Sequence, residues 1–167
     1  MRVRRSARLL IINPANRVLL FRFVHHNDAL AGRSYWATPG GGVEDSESFE
    51  DAAIRELHEE TGIVRNDVGQ CVAEGAFEMT LPSGETVLAK ECFYIVKFDS
   101  NDINTGGWSL NEKSVIESHH WWSLNELVET AEIVYPTDLK EILFQSARRY
   151  LDFTNWSGIM CLKNEPE

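Results

Sequence analysis

Residues 41–63 read GGVEDSESFEDAAIRELHEETGI, and this run constrains the rest of the chain more than any other. Eight of its residues are acidic (Glu44, Asp45, Glu47, Glu50, Asp51, Glu56, Glu59 and Glu60), and only Arg55 carries a fixed positive charge. A glycine-rich turn, Pro39-Gly40-Gly41-Gly42, leads into it. Ser48 followed three residues later by Asp51 reads as a capping box, and Phe49 then starts an apolar series. Thr61-Gly62 reads as a helix C-terminus, with Gly62 suited to the left-handed position there. On such a helix Glu56, Glu59 and Glu60 share one arc of about 100°. Phe49, Ala53 and Leu57 form the neighbouring apolar stripe. Carboxylates three and four residues apart repel one another. Arg55 reaches Asp51 and Glu59, but one arginine does not neutralise the face. Clustered hard oxygens suit Mg²⁺ or Mn²⁺, and a divalent ion beside a glycine turn suits displacement at phosphorus. The competing reading is a solvated acidic helix face, and helical charge alone favours it.

The spacing reverses that preference. The run resembles the Nudix box, G-x5-E-x7-R-E-U-x-E-E-x-G-U with U aliphatic. Gly41, Glu47, Arg55, Glu56, Leu57, Glu59, Glu60, Gly62 and Ile63 fill its nine fixed positions without departure. Trp36 and Pro39 before the run, and His120-Trp121-Trp122-Ser123-Leu124 well after it, also look like the family.

The length of 167 residues suits one domain with a real core, expected over residues 1–167 with a polar C-terminal tail from about residue 155. Lys and Arg number 16 against 26 Asp and Glu, a net charge of −10. That field repels phosphate esters. It argues against a duplex-nucleic-acid partner, while leaving a capped RNA end open. Cys71, Cys92 and Cys161 have no CxxC spacing, so they fit reduced thiols of a cytoplasmic protein and ordinary small buried residues. The basic start at residues 1–8 is followed by too short an apolar run for a secretory signal, and no stretch approaches a membrane span.

Along the chain, residues 5–12 and 17–23 read as strands able to form a hairpin across Asn13-Pro14-Ala15-Asn16. Residues 24–34 read as a polar loop whose His25 and His26 are solvated rather than ligating. Residues 35–38 form a short strand, with Trp36 a packing residue. Strand-like pieces follow over 68–80, and residues 86–98 give the strongest strand signal. Residues 99–113 read as a polar loop facing substrate. A strand over 118–122 places Trp121 and Trp122 on opposite faces, one of them in the core. Ser123 with Glu126 is a capping box for a short helix to about residue 129. A longer helix opens at Tyr135-Pro136-Thr137 and runs to about residue 151. The order suits an α/β chain with a mixed sheet between helices, and the resemblance implies the Nudix α/β/α sandwich.

The resemblance further implies hydrolysis of the pyrophosphate bond in a nucleoside diphosphate linked to another group, by water attack at phosphorus. It makes Glu56, Glu59 and Glu60 metal ligands, with the carbonyl of Gly40 a weaker candidate, and Mg²⁺ (or Mn²⁺) the cofactor. Arg55 would lock the ligand face by pairing with Glu47. Glu56 is the first choice for general base, with Glu112 and Glu117 as later candidates. Arg22 and Arg33 are candidates for substrate phosphates, weighed against plain surface charge. Trp108 is a candidate for stacking a base, weighed against core packing. The branch marks of the family do not choose a substrate. The downstream proline of ADP-ribose types is replaced by Glu78, and the tyrosine of dinucleoside-polyphosphate types by Met79, Thr80 or Leu81. The expected partner is therefore a small nucleoside di- or triphosphate derivative, acted on by a monomer or homodimer. A non-nucleotide diphosphate is the runner-up substrate, and a nucleotide sensor without turnover is the alternative from another class.

Overall fold

A computed structural model describes the backbone of residues 1–150 and the side chains of residues 1–146. The tail read from residue 155 and Cys161 lie outside the described residues. The Leu-Leu-Ile-Ile run explains the architecture. It falls in strand β1 (Val3–Ile12), whose side chains alternate between two covered faces. Leu10 and Ile12 pack in one apolar cluster, and Leu9 and Ile11 in another. Helix α1 (Phe49–Thr61) covers the second cluster with Ala52, Ala53 and Leu57, all fully buried. Helices α3 (Leu124–Glu129) and α4 (Leu139–Tyr150) cover the first with Leu127, Leu139, Ile142, Leu143 and Phe144. The layers are therefore helix, sheet, helix.

The sheet is mixed. β1 runs parallel to β6 (Thr86–Lys97) from Val3↔Leu88 to Ile12↔Lys97. β5 (Ala73–Thr80) pairs antiparallel with β6 at the sheet edge. β2 (Val18–Val24) turns back from β1 as expected, but the two pair only at Ile12↔Val18 and then diverge. The gap is filled on each side. β4 (Gly40–Gly42) lies on β1, and β7 (Ile116–Trp122) lies on β2. β3 (Ser34–Ala37) pairs β2 on its other edge, and β8 (Val134–Tyr135) runs parallel beside β3. Divergence of β1 from β2 opens the sheet where α1 meets the glycine segment.

Several local expectations hold. Ser48 accepts the N–H of Asp51 at 3.0 Å, which is the Ser48 half of the expected capping box, and Gly62 closes α1 at φ 77° with its N–H on the His58 carbonyl. Ser123 and Glu126 form both halves of a capping box. Trp122 is in the core, edge-to-face with Trp36, while Trp121 packs on the other cluster.

Other expectations are corrected. Pro39–Gly42 is not simply a turn: its three glycines are an extended strand. A Cβ at Gly40, whose φ is 140°, would strike the Ala7 carbonyl, so only glycine lies this close to β1. The loop over 99–113 ends in a helix, α2 (Leu110–Val115), capped by reciprocal Ser109–Glu112 bonds. His25 is buried rather than solvated, because Asp28 at 2.7 Å and the Tyr35 hydroxyl at 2.9 Å occupy its two ring nitrogens. Tyr135 belongs to a strand, and the last helix begins at Leu139.

Candidate active site

The site is built on the face of α1 that looks at β4. The apolar stripe of α1 sits on the sheet, so the adjoining arc is pressed against the glycine strand. Glu56 and Glu60 are buried at 9% and 4% exposure. The Glu59 side chain, on the outer side of the arc, keeps 46% of its exposure. The N–H of Gly40 donates to Glu60 Oε2 at 2.8 Å. Gly41 is held to glycine by its neighbour: a Cβ there would lie 2.6 Å from the Glu56 carboxyl carbon.

Arg55 binds the loop to the helix. Its Nε and Nη2 donate to the two oxygens of Glu47 at 2.8 and 2.9 Å, a bidentate pair. Nη2 also donates to the Gly42 carbonyl at 2.9 Å, and Nη1 to Glu56 at 2.9 Å and Glu59 at 3.3 Å. The Arg55–Glu47 pairing expected from the resemblance is present. The guanidinium holds Glu47 down to a pKa of about 2.

The third carboxylate comes from elsewhere in the chain. The last turn of α1 leaves carbonyls without helical partners. The 99–109 loop supplies donors to them. Asn104 N–H donates to the Thr61 carbonyl at 2.8 Å, and Trp108 Nε1 to the Glu60 carbonyl at 2.8 Å. Gly107 passes so close that a Cβ would lie 2.5 Å from the Glu59 carbonyl. Anchored this way, the loop delivers α2, and Glu112 meets Glu56 and Glu60. One ligand oxygen from each of the three lies within 4.8 Å of the others. Burial pushes Glu60 well above the usual carboxylate range, and its hydrogen bond with Glu112 and the charge of Glu56 add to the rise. Burial also raises Glu56, against the pull of Arg55. Burial acts upward on Glu112 too, but the hydrogen bonds from Glu60 and Ser109 outweigh it, and its pKa falls. Arg55 pairs with this trio at Glu56, yet two of the three carboxylates still have raised pKa values, which leaves a deficit of positive charge. A hard divalent cation fits that deficit and that donor set.

The remaining sequence candidates do not add a carboxylate to this trio. Glu117 pairs with Arg22 at 2.9 Å, from β7 to β2, and more than half of its side chain is exposed. Arg33 is exposed in the turn before β3. The ring of Trp108 packs edge-to-face on Phe21, centroids 5.4 Å apart. Arg8, on β1, was not singled out from the sequence. It is nearly buried, donates to Glu91 at 2.8 Å and to the Thr38 carbonyl at 3.3 Å, and lies in the field of Glu60 and Glu56. Its signal in the sequence was the charge immediately before the apolar Leu9–Ile12 run of β1. The signal for Glu112 was the Ser109-x-x-Glu112 spacing.

A family model, the NUDIX domain, matches residues 2–143. The chain belongs to the Nudix family. An RNA pyrophosphohydrolase of Teredinibacter turnerae is 29% identical over 81% of this chain and 82% of its own length. Another, of Saccharophagus degradans, is 30% identical over 68% of this chain and 73% of its own. The Nudix fold is shared with the MutT protein of Methanosarcina mazei, with TM-score 0.66 and 23% identity over 90% of this chain and 97% of that one. A MutT Nudix hydrolase of Burkholderia pseudomallei matches with TM-score 0.57 and 21% identity over 87% and 98%. The protein is thus a Nudix pyrophosphohydrolase, of a family that depends on divalent metal. Among the described residues no helix is long and apolar enough to cross a membrane.

Proposed function

We propose that this Nudix protein hydrolyses a nucleoside polyphosphate derivative, with Mg²⁺ or Mn²⁺ held by Glu56 and Glu60, the Gly40 carbonyl, and Glu59 at the rim. The observation that carries the reading is the convergence of Glu56, Glu60 and Glu112 within 4.8 Å. The ion supplies positive charge for the non-bridging and leaving oxygens. Glu112 takes the proton of the attacking water. It stands on a separate element from the ligands, and its hydrogen bonds to Glu60 and Ser109 lower its pKa against the effect of burial. Glu56, the first choice from sequence, is tied to Arg55 and acts as ligand. Arg55 orients that ligand and ties it to the loop through Glu47. Glu117 is engaged with Arg22 and takes no part in proton transfer.

Two relatives named RNA pyrophosphohydrolase make a 5′-triphosphorylated RNA end the first substrate to try. The net charge of −10 favours a free nucleotide or a short single-stranded end over a duplex. The test is Mg²⁺-dependent cleavage, read by chromatography of the products, across (d)NTPs, nucleotide sugars, NDP-riboses, dinucleotides, 5′-triphosphate RNA and non-nucleotide diphosphates. Glu56→Gln, Glu112→Gln and Glu117→Gln are assayed in parallel. Glu112→Gln is expected to lower kcat by about 10²-fold or more while Mg²⁺ still binds, and Glu117→Gln to behave as wild type. A full-rate Glu112→Gln refutes the assignment of the base. Nucleotide binding without cleavage of any compound refutes turnover and favours a sensor.

A further inference from the structure

Cys71 and Cys92 are 21 positions apart and share no metal-binding spacing, yet the fold brings their sulfurs together with a carboxylate. One ligand atom from each of Cys71, Glu74 and Cys92 lies within 4.8 Å of the other two. The register explains how. Glu74 on β5 is directly opposite Cys92 on β6, so both side chains leave the same face of the hairpin. Cys71 approaches from the segment just before β5, where its Sγ lies 3.0 Å from the Ala73 carbonyl. Cys92 is buried at the floor, Cys71 is half-buried, and Glu74 is exposed at the lip. The cluster thus has a closed base and one open side.

We propose that Cys71, Cys92 and Glu74 form a second metal site, selective for a thiophilic divalent ion of the Zn²⁺ type. Two sulfurs and one carboxylate oxygen are a soft donor set with room for a water as fourth ligand. The acidic site on α1 is all oxygen and takes a hard ion. The two sites flank β1: Ala7 has Gly41 on one side and Cys92 on the other. Their backbones are two strand spacings apart, about 10 Å. An ion here cross-links the edge strand β5 and the segment before it to the neighbouring strand β6. Binding exchanges the two thiol protons for two metal–sulfur bonds, with no change of oxidation state.

The test uses the full chain, reduced with a phosphine and titrated with Co²⁺, which reports its ligands by colour. Expected is a near-ultraviolet thiolate-to-cobalt charge-transfer band saturating at one equivalent, bleached by Zn²⁺. Carboxylates alone produce no such band, so the acidic site does not mimic it. Cys71→Ser and Cys92→Ser are expected to lose the band, and Cys161→Ser and Glu60→Gln to keep it. Glu74→Gln is expected to keep the band but weaken binding by about tenfold or more. Because Cys92 lies in the core, the half-buried Cys71→Ser variant decides, with circular dichroism confirming its fold. The proposal is overturned by absence of the band at saturating Co²⁺, by its survival in Cys71→Ser, or by wild-type affinity in Glu74→Gln.

Discussion

At the scale of single residues the site depends on two close approaches, one steric and one electrostatic. Gly41 leaves room for the Glu56 carboxylate, and any Cβ moves that group. Gly41→Ala is therefore expected to leave the circular dichroism spectrum unchanged while lowering kcat/KM by about 10²-fold, the scale of a misplaced catalytic group. A rate within twofold of wild type would mean that Glu56 relaxes without consequence. The Arg55–Glu47 pair carries a pH signature. The folded pKa of Glu47, about 2, lies below the ordinary carboxyl value of 4.5. Its stabilisation is thus fully present above pH 4.5 and lost as pH falls toward 2. In chelator, the melting temperature of Glu47→Gln is expected to lie below wild type at pH 6. The gap should close between about pH 4.5 and 2. A constant gap would show that the charge on Glu47 contributes nothing.

At the scale of elements, the 99–109 loop has two jobs, ending α1 and delivering α2. Trp108 joins both through its N–H on the Glu60 carbonyl. Trp108→Phe keeps an aromatic ring on Phe21 but removes the donor. It is expected to lower stability by about 1 kcal/mol, the scale of one hydrogen bond, and to lower kcat more than it raises KM. If the ring instead stacks a substrate base, Trp108→Phe would leave kcat intact and Trp108→Leu would raise KM. Denaturant melts and steady-state kinetics on both variants separate these outcomes. Ser109→Ala tests the cap directly. Losing an N-cap side chain costs about 1 kcal/mol. Because α2 has only six residues, the loss is expected to appear as faster amide exchange over Leu110–Val115 and reduced kcat.

At the scale of the molecule, the proposed metal site on α1 would couple metal binding to folding. A cation bound by the native chain alone raises the melting temperature in proportion to the logarithm of its concentration once saturating. Millimolar Mg²⁺ is expected to raise the melting temperature, chelation to abolish turnover, and Glu60→Gln to shrink the Mg²⁺ increment. An unchanged increment in Glu60→Gln would remove that residue from the ligand set. The sequence by itself determined the centre of this protein. Fixed spacing between residues 41 and 63 specified the helix, its caps, its acidic arc and its family, because these are local in the chain. The apolar runs likewise specified most strands, since alternation and β-branching act over a few residues. The Gly40–Gly42 strand was misread as a turn, because pairing with β1 depends on a partner more than 30 positions away. Only the tertiary structure decided that Glu112, and not Glu59, closes the trio, that Glu117 is taken by Arg22, and that Arg8 lies in the field of Glu56 and Glu60. Those choices rest on contacts between segments remote in sequence. No local pattern encodes how far a loop travels before the unpaired carbonyls at the end of α1 capture it.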